Sequence, residues 1–213
     1  MSSTLQAPRV RRVLERMHSA ADENDPPLLA KAKGKSGADR AALLVDAFIP
    51  VSPDAGRLLY TLVRSAAPGT TIEFGTSFGI STIYMAAAVR DRGTGTVITT
   101  EINTGKARRA SEYIREAGLS DLVDLRVGDA LQTLKDLKRD TSVVFLDGWK
   151  ELYLPVLRLL EPALQPGALV IADDLDLFPD ALRPYLAYVR DPANGYVSVT
   201  VPVGDAMELS ARA

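Results

Sequence analysis

The run Phe145-Leu146-Asp147-Gly148-Trp149-Lys150 places a carboxylate, an indole and an amine close together, directly after the apolar stretch Ser142–Leu146. A strand that buries Val143 to Leu146 must release Asp147 to Lys150 at its carboxyl end. Open α/β sheets bind their ligands at that end. A second apolar run, Ala168–Ala172, ends in Asp173-Asp174. Two strand ends that both deliver carboxylates can hold one divalent cation through hard oxygen donors. A lysine beside them can accept a proton if burial or the cation depresses its own pKa.

The elements that must position these groups can be read from periodicity. After Pro68-Gly69 the chain alternates strand and helix with short connections. The patterning predicts strands at Thr70–Phe74, Thr96–Glu101, Val123–Val127, Ser142–Asp147 and Ala168–Asp173, with helices at Ile80–Arg90, Thr104–Ala117, Ala130–Leu137, Leu152–Leu164 and Ala181–Arg190. Repeated βα units with right-handed crossovers make a parallel, doubly wound, Rossmann-like sheet with helices on both faces. Two β-rich runs, Tyr196–Pro202 and Ala206–Ala211, flank Val203-Gly204-Asp205, a hairpin signal that requires an antiparallel strand. Upstream, Arg9–Ala20 reads as a helix with Val10, Val13, Leu14 and Met17 on one face, and Ser52–Ala66 as another. The polar Asp22–Asp39 stretch, with Pro26-Pro27, Gly34 and Gly37, reads as a mobile loop. Residues 1–46 are expected to form a helix and mobile segment that caps the substrate site or an oligomer contact, ahead of a principal domain over residues 47–213.

Composition narrows the functional classes. Of 213 residues, 46% are apolar and 24% charged, ordinary values for a soluble globular chain. No stretch approaches the ~20 apolar residues of a membrane span, and the N-terminus lacks the regions of a signal peptide; a cytoplasmic location is expected. A formal charge of −2 gives no electrostatic basis for nucleic-acid binding. With no cysteine there is no thiolate nucleophile and no Cys-based zinc site. The single histidine, His18, lies far in sequence from both acidic strand ends and is assigned a structural or solvent role, so a general base must be Lys, Asp, Glu or Tyr. Gly34-Lys35-Ser36 looks like the tail of a phosphate-binding loop, but position 29 is Leu where a glycine is required, and no buried strand precedes it.

Between the first strand and its helix lies Glu73-Phe74-Gly75-Thr76-Ser77-Phe78-Gly79-Ile80-Ser81. Gly75 and Gly79 let backbone approach a ligand and turn into a helix N-terminus. Their spacing is not the Gly-x-Gly-x-x-Gly of pyrophosphate cradles, which argues against nicotinamide and flavin cofactors. Glu101, at the end of the second strand, can accept hydrogen bonds from both ribose hydroxyls of an adenosine-containing ligand. Asp129, in Gly128-Asp129-Ala130, can accept from an adenine amine or cap a helix, and the two roles are compatible.

Taken together, the glycine loop, Glu101-Ile102-Asn103, Gly128-Asp129-Ala130, Phe145 to Lys150 with Tyr153, Gly167 to Asp174, and Val201 to Asp205 resemble the class I S-adenosylmethionine-dependent O-methyltransferases of the catechol and caffeoyl-CoA type. The resemblance runs from about Ala47 onward and implies a seven-stranded sheet whose last hairpin supplies the antiparallel strand. It implies that Glu73, Gly75, Ser81 and Glu101 line the methionine and ribose parts of S-adenosylmethionine. Val51 and Asp147 would border the methyl donor, and Asp129, Ala130 and Trp149 the adenine. Asp147, Asp173 and Asp174 would hold Mg²⁺, or Mn²⁺ or Ca²⁺, and Lys150 would deprotonate a phenolic hydroxyl of a small-molecule acceptor. A homodimer is implied as well. The chain departs from the family at Asp174, where Asn is usual, and at Gly148, where a bulkier residue is common and whose absence is expected to widen the space beside cofactor and metal. Read without the resemblance, the residues also admit a metal-independent methyltransferase, a nicotinamide-dependent oxidoreductase or a non-catalytic S-adenosylmethionine-binding protein.

Overall fold

Strands β1 (Thr70–Phe74) and β4 (Thr141–Leu146) are buried along their whole length, as their unbroken apolar and threonine runs require of strands covered on both faces. In the computed structural model, which describes residues 3–35, 37–137 and 140–213, these two strands form the centre of a seven-stranded sheet. The others are β2 (Val97–Glu101), β3 (Val123–Val127), β5 (Leu164–Ala172), β6 (Tyr196–Val201) and β7 (Met207–Arg212), in the order β3-β2-β1-β4-β5-β7-β6. The first five are parallel; β7 runs antiparallel to both β5 and β6.

Successive side chains point to opposite faces. Val143 and Phe145 enter one core with helices α1 (Pro8–Ala32), α3 (Pro53–Ser65), α4 (Ile80–Arg92) and α5 (Thr104–Ala117), whereas Val144 and Leu146 enter the other with α7 (Tyr153–Leu160) and α8 (Pro179–Arg190). Helix α4 is buried on every side from Ile80 to Val89, the pattern of a helix wedged between a sheet and an outer helix layer. The chain steps outward from β1 through β2 to β3, then returns to β4 on the other side of β1. This reversal opens a crevice at the carboxyl ends of β1 and β4. Register aligns Phe74 with Leu146 and Leu146 with Ala172, so Gly75, Asp147 and Asp173 leave the sheet side by side.

Four elements depart most from the expectation. Helix α1 does not stop at Ala20 but continues through Pro26-Pro27 to Ala32. Its second half is held by Ala32 packing on Leu44 and Ala47 and by Asp25, whose buried carboxylate bonds the backbone of Phe48 and Ile49; tertiary contacts override the proline penalty. Helix α2 (Gly37–Leu43) lies where loop was expected, and Ser36 of the phosphate-loop-like tripeptide is outside the described residues. Helix α6 (Ala130–Thr133) is shorter than predicted, and the chain after it takes a left-handed turn at Asp136 (φ 61°). Strand β5 begins ahead of Pro166-Gly167 rather than at Ala168. No helix among the described residues is long and apolar enough to cross a membrane.

Candidate active site

The glycine loop and the Asp147 loop meet backbone to backbone. Asp147 N–H donates to Phe74 O at 2.8 Å, and a Cβ placed on Gly75 (φ 101°) would lie 2.6 Å from Asp147 O. Only glycine fits there. Beneath the loop, the fully buried Glu73 accepts from Ser81 Oγ (2.5 Å), Thr82 Oγ1 (2.5 Å) and Thr99 Oγ1 (2.6 Å). Burial pushes its pKa up against these three hydrogen bonds. Glu73 and Ser81 are therefore bonded to each other under the crevice floor, fixing β1, β2 and α4 as one unit.

Glu101 ends β2 with its oxygens on Ser77 N–H (2.8 Å) and Asn103 N–H (2.9 Å). Asn103 in turn caps α5 through Gly105 and Lys106 N–H. Asp129 caps α6 by accepting from Leu131 N–H at 2.9 Å. Ala130 and Val51 are buried, whereas Trp149 is 37% and Ile102 64% exposed. These last two are large apolar side chains at the ends of the strands flanking β1. Ile102 enters the sequence reading only within Glu101-Ile102-Asn103 and with no role of its own, because a single apolar residue after a strand carries no pattern. His18 lies on α1 within 3.4 Å of the Tyr84 hydroxyl.

The acidic strand ends converge. Asp147, Asp173 and Asp174 each bring a carboxylate oxygen within 4.8 Å of the others. Lys150 Nζ sits among them, 2.6 Å from Asp174 Oδ2 and 3.3 Å from Asp147 Oδ1, and donates to the Tyr153 hydroxyl at 2.8 Å. Tyr153 OH reaches on to Asp173 O at 3.3 Å. Tyr153 is thus a site residue, one helical turn after Lys150. Burial works against the lysine's charge, but Asp147, Asp174 and Asp173 outweigh it and raise its pKa. Burial and the Asp174 charge push Asp173 up to about 7, and burial lifts Asp147 as well, against the pull of Lys150. Three hard oxygen donors crowded in this way match the ligand chemistry of Mg²⁺ or Ca²⁺.

Asp174 holds a left-handed backbone (φ 67°), and the segment after it is hooked to the C-terminal hairpin: Leu175 N–H donates to Ala206 O and Asp176 N–H to Asp205 O. The ring of Phe178 lies 5.7 Å from Lys150 Nζ and 5.4 Å from the Arg40 guanidinium of α2. The expected widening at Gly148 is not found. The Phe74 ring fills that space, so that a Cβ on Gly148 would stand 2.5 Å from it.

The comparisons with known proteins agree with this arrangement. Residues 72–175 match a methyltransferase domain family. Catechol O-methyltransferase from Sus scrofa is 33% identical over 142 residues, covering 63% of this chain and 74% of that protein. Caffeoyl-CoA O-methyltransferase 2 from Zea mays is 28% identical over 184 residues, 76% of this chain and 69% of the relative. Among solved structures, an O-methyltransferase from Streptomyces achromogenes in complex with S-adenosylmethionine superposes with a TM-score of 0.66 at 26% identity, covering 87% of this chain and 89% of that one. The glycine loop, the acid ending β2 and the Asp-Gly-Trp-Lys strand end all fall within the matched segment, and the chain belongs to the catechol and caffeoyl-CoA type of class I S-adenosylmethionine-dependent O-methyltransferases.

Proposed function

We propose that this methyltransferase acts on a phenolic hydroxyl of a small catechol-type acceptor, with Lys150 as general base and a divalent cation on Asp147, Asp173 and Asp174. The observation that carries the reading is the buried lysine ammonium among three carboxylates at the lip of the crevice. Gly75 and Glu101 would receive the methionine and ribose parts of the methyl donor, with Glu73 and Ser81 shaping that surface from below. Asp129, Ala130 and Trp149 would border the adenine, and Val51 and Asp147 the methyl group.

Lys150, as the free amine, takes the hydroxyl proton on Nζ while the oxygen attacks the sulfonium methyl in line; the carbon–sulfur bond breaks and S-adenosylhomocysteine leaves as the neutral thioether. Tyr153 holds the amine in place through its hydroxyl. Asp147, Asp173 and Asp174 would hold the cation, which would supply Lewis acidity to lower the pKa of the attacking hydroxyl and positive charge to offset what raises Lys150. Positioning of the two reactants provides much of the acceleration. The acceptor pocket is assigned to the Asp22–Pro53 segment and to Leu175–Pro179, supported by Arg40 lying over Phe178 beside Lys150. A cytoplasmic homodimer, with residues 1–46 as cap, completes the proposal on family likeness and composition.

The test is methyl transfer to catechol with and without EDTA. Activity is expected to vanish in chelator and to return with Mg²⁺ or Mn²⁺. The 2.6 Å Lys150–Asp174 ion pair favours one second reading, in which the ammonium itself holds Asp174 and Asp147 together and no metal is needed. Full activity in EDTA selects that reading.

A further inference from the structure

We infer that Asp25 is a positioning residue for the cofactor crevice, acting from α1 on a strained turn that is hydrogen-bonded to the glycine loop through Ser77. This inference rests on the assignment of the Gly75–Glu101 crevice to the methyl donor. The Asp25 carboxylate is 4% exposed. Its Oδ1 accepts from Phe48 N–H at 2.8 Å and its Oδ2 from Ile49 N–H at 2.7 Å. Hydrogen bonds from two consecutive amides to one carboxylate fix the local backbone, and a charged acceptor makes them stronger than neutral ones.

The backbone they fix is an unfavourable one. Ile49 is β-branched yet has φ 46°, a left-handed conformation that such residues rarely adopt. That conformation persists only where its surroundings over-determine it. Ile49 is 41% exposed, so packing restrains it only in part, and the bond from its N–H to Asp25 is the direct restraint. From this turn the line continues without a gap. Phe48 O accepts from Ser77 Oγ at 2.8 Å, and Ser77 N–H donates to Glu101 Oε2 at 2.8 Å. Ser77 is itself left-handed (φ 47°). The Phe48 ring packs edge-on against Phe78 at 4.6 Å. Lys106 Nζ ties the same segment down through Ala47 O (2.8 Å) and Ser77 Oγ (3.1 Å). Val51, two residues after Ile49, lies on the same short segment. A carboxylate on the N-terminal helix thus reaches the acid assigned to ribose through one turn and one serine.

Asp25→Asn keeps the shape but offers one acceptor oxygen and turns an amide group toward the other N–H. The turn then relaxes toward negative φ, and Phe48 O no longer holds Ser77. Calorimetry of the full chain with S-adenosylhomocysteine, well below the melting temperature, reads the effect. The expected result is a Kd raised about ten- to a hundredfold, the scale of one or two hydrogen bonds to a charged group. A purely structural Asp25 would lower the melting temperature and leave the Kd of the folded protein alone; that result overturns the inference. Ile49→Gly added to Asp25→Asn should recover most of the lost affinity, since glycine adopts positive φ without strain. A double variant no tighter than Asp25→Asn also overturns it. Wild-type protein that fails to bind S-adenosylhomocysteine removes the cofactor assignment and this inference together, whereas equal binding by wild type and Asp25→Asn removes this inference alone.

Discussion

Lys150 Nζ lies 2.6 Å from Asp174 Oδ2, closer than it lies to Asp147 in its own loop. Asp174 thereby adds to the negative charge that keeps the lysine protonated. Asp174→Asn removes that charge, and Asn accepts the left-handed backbone that position 174 adopts. Less negative charge favours the neutral amine, so the Lys150 pKa falls. The rise of turnover with pH should move to lower pH, as measured in a pH–kcat profile. A rise that stays where it is in wild type would dissociate Asp174 from the base.

Lys150→Met should lower turnover by ~10²-fold or more, the usual scale of a lost general base. Binding of S-adenosylhomocysteine should change little, because Lys150 bonds the acidic cluster and Tyr153 rather than the glycine loop. Single-turnover kinetics and calorimetry on the same preparation separate the two effects.

Gly148→Ala drives a methyl group into the Phe74 ring, an overpacking that costs about 1–3 kcal/mol. Phe74→Leu, made together with it, frees that space and should restore most of the loss. Denaturant unfolding of the two single variants and the double variant checks the coupling. Additive effects would mean that the ring yields without cost.

His18 offers a clean pH probe because it is the only histidine. Burial lowers its pKa below the ordinary 6.5. In the folded protein it therefore stays neutral at a pH where the unfolded chain takes up a proton. Its contribution to stability is complete above about 6.5 and is lost as pH falls from there through the folded pKa. Imidazole NMR should place the folded midpoint below 6.5, and His18→Gln should flatten this part of the stability profile. A midpoint at or above 6.5 would contradict the buried setting.

What the sequence disclosed follows from the range of each interaction. Strands β1 and β4 were legible because burial on both faces leaves an uninterrupted run such as Val143-Val144-Phe145-Leu146. Asp147, Asp173 and Glu101 were legible as residues that such runs must release. The contacts that organise them join distant positions. The bonds that Glu73 accepts from Ser81, Thr82 and Thr99 join two strands and a helix. Pro26-Pro27 read as part of a mobile loop because the contacts that carry α1 through them come from Leu44 to Ile49. Phe74 and Gly148 compensate one another in volume only after β1 and β4 are paired. No local pattern announces any of these.

The hooks from Leu175 and Asp176 to the hairpin have a further consequence, for the order in which the site is completed as the chain is made. Strand β6 leaves the ribosome before β7, yet it meets the sheet only through β7. The loop bearing Asp173 and Asp174 finds its partners at Asp205 and Ala206, on the approach to that same strand. A nascent chain that has made both acidic strand ends therefore still lacks the anchor for one of them. The anchor of the Asp173–Asp174 loop is thus supplied by the last stretch of the sheet to be made, at the approach to β7.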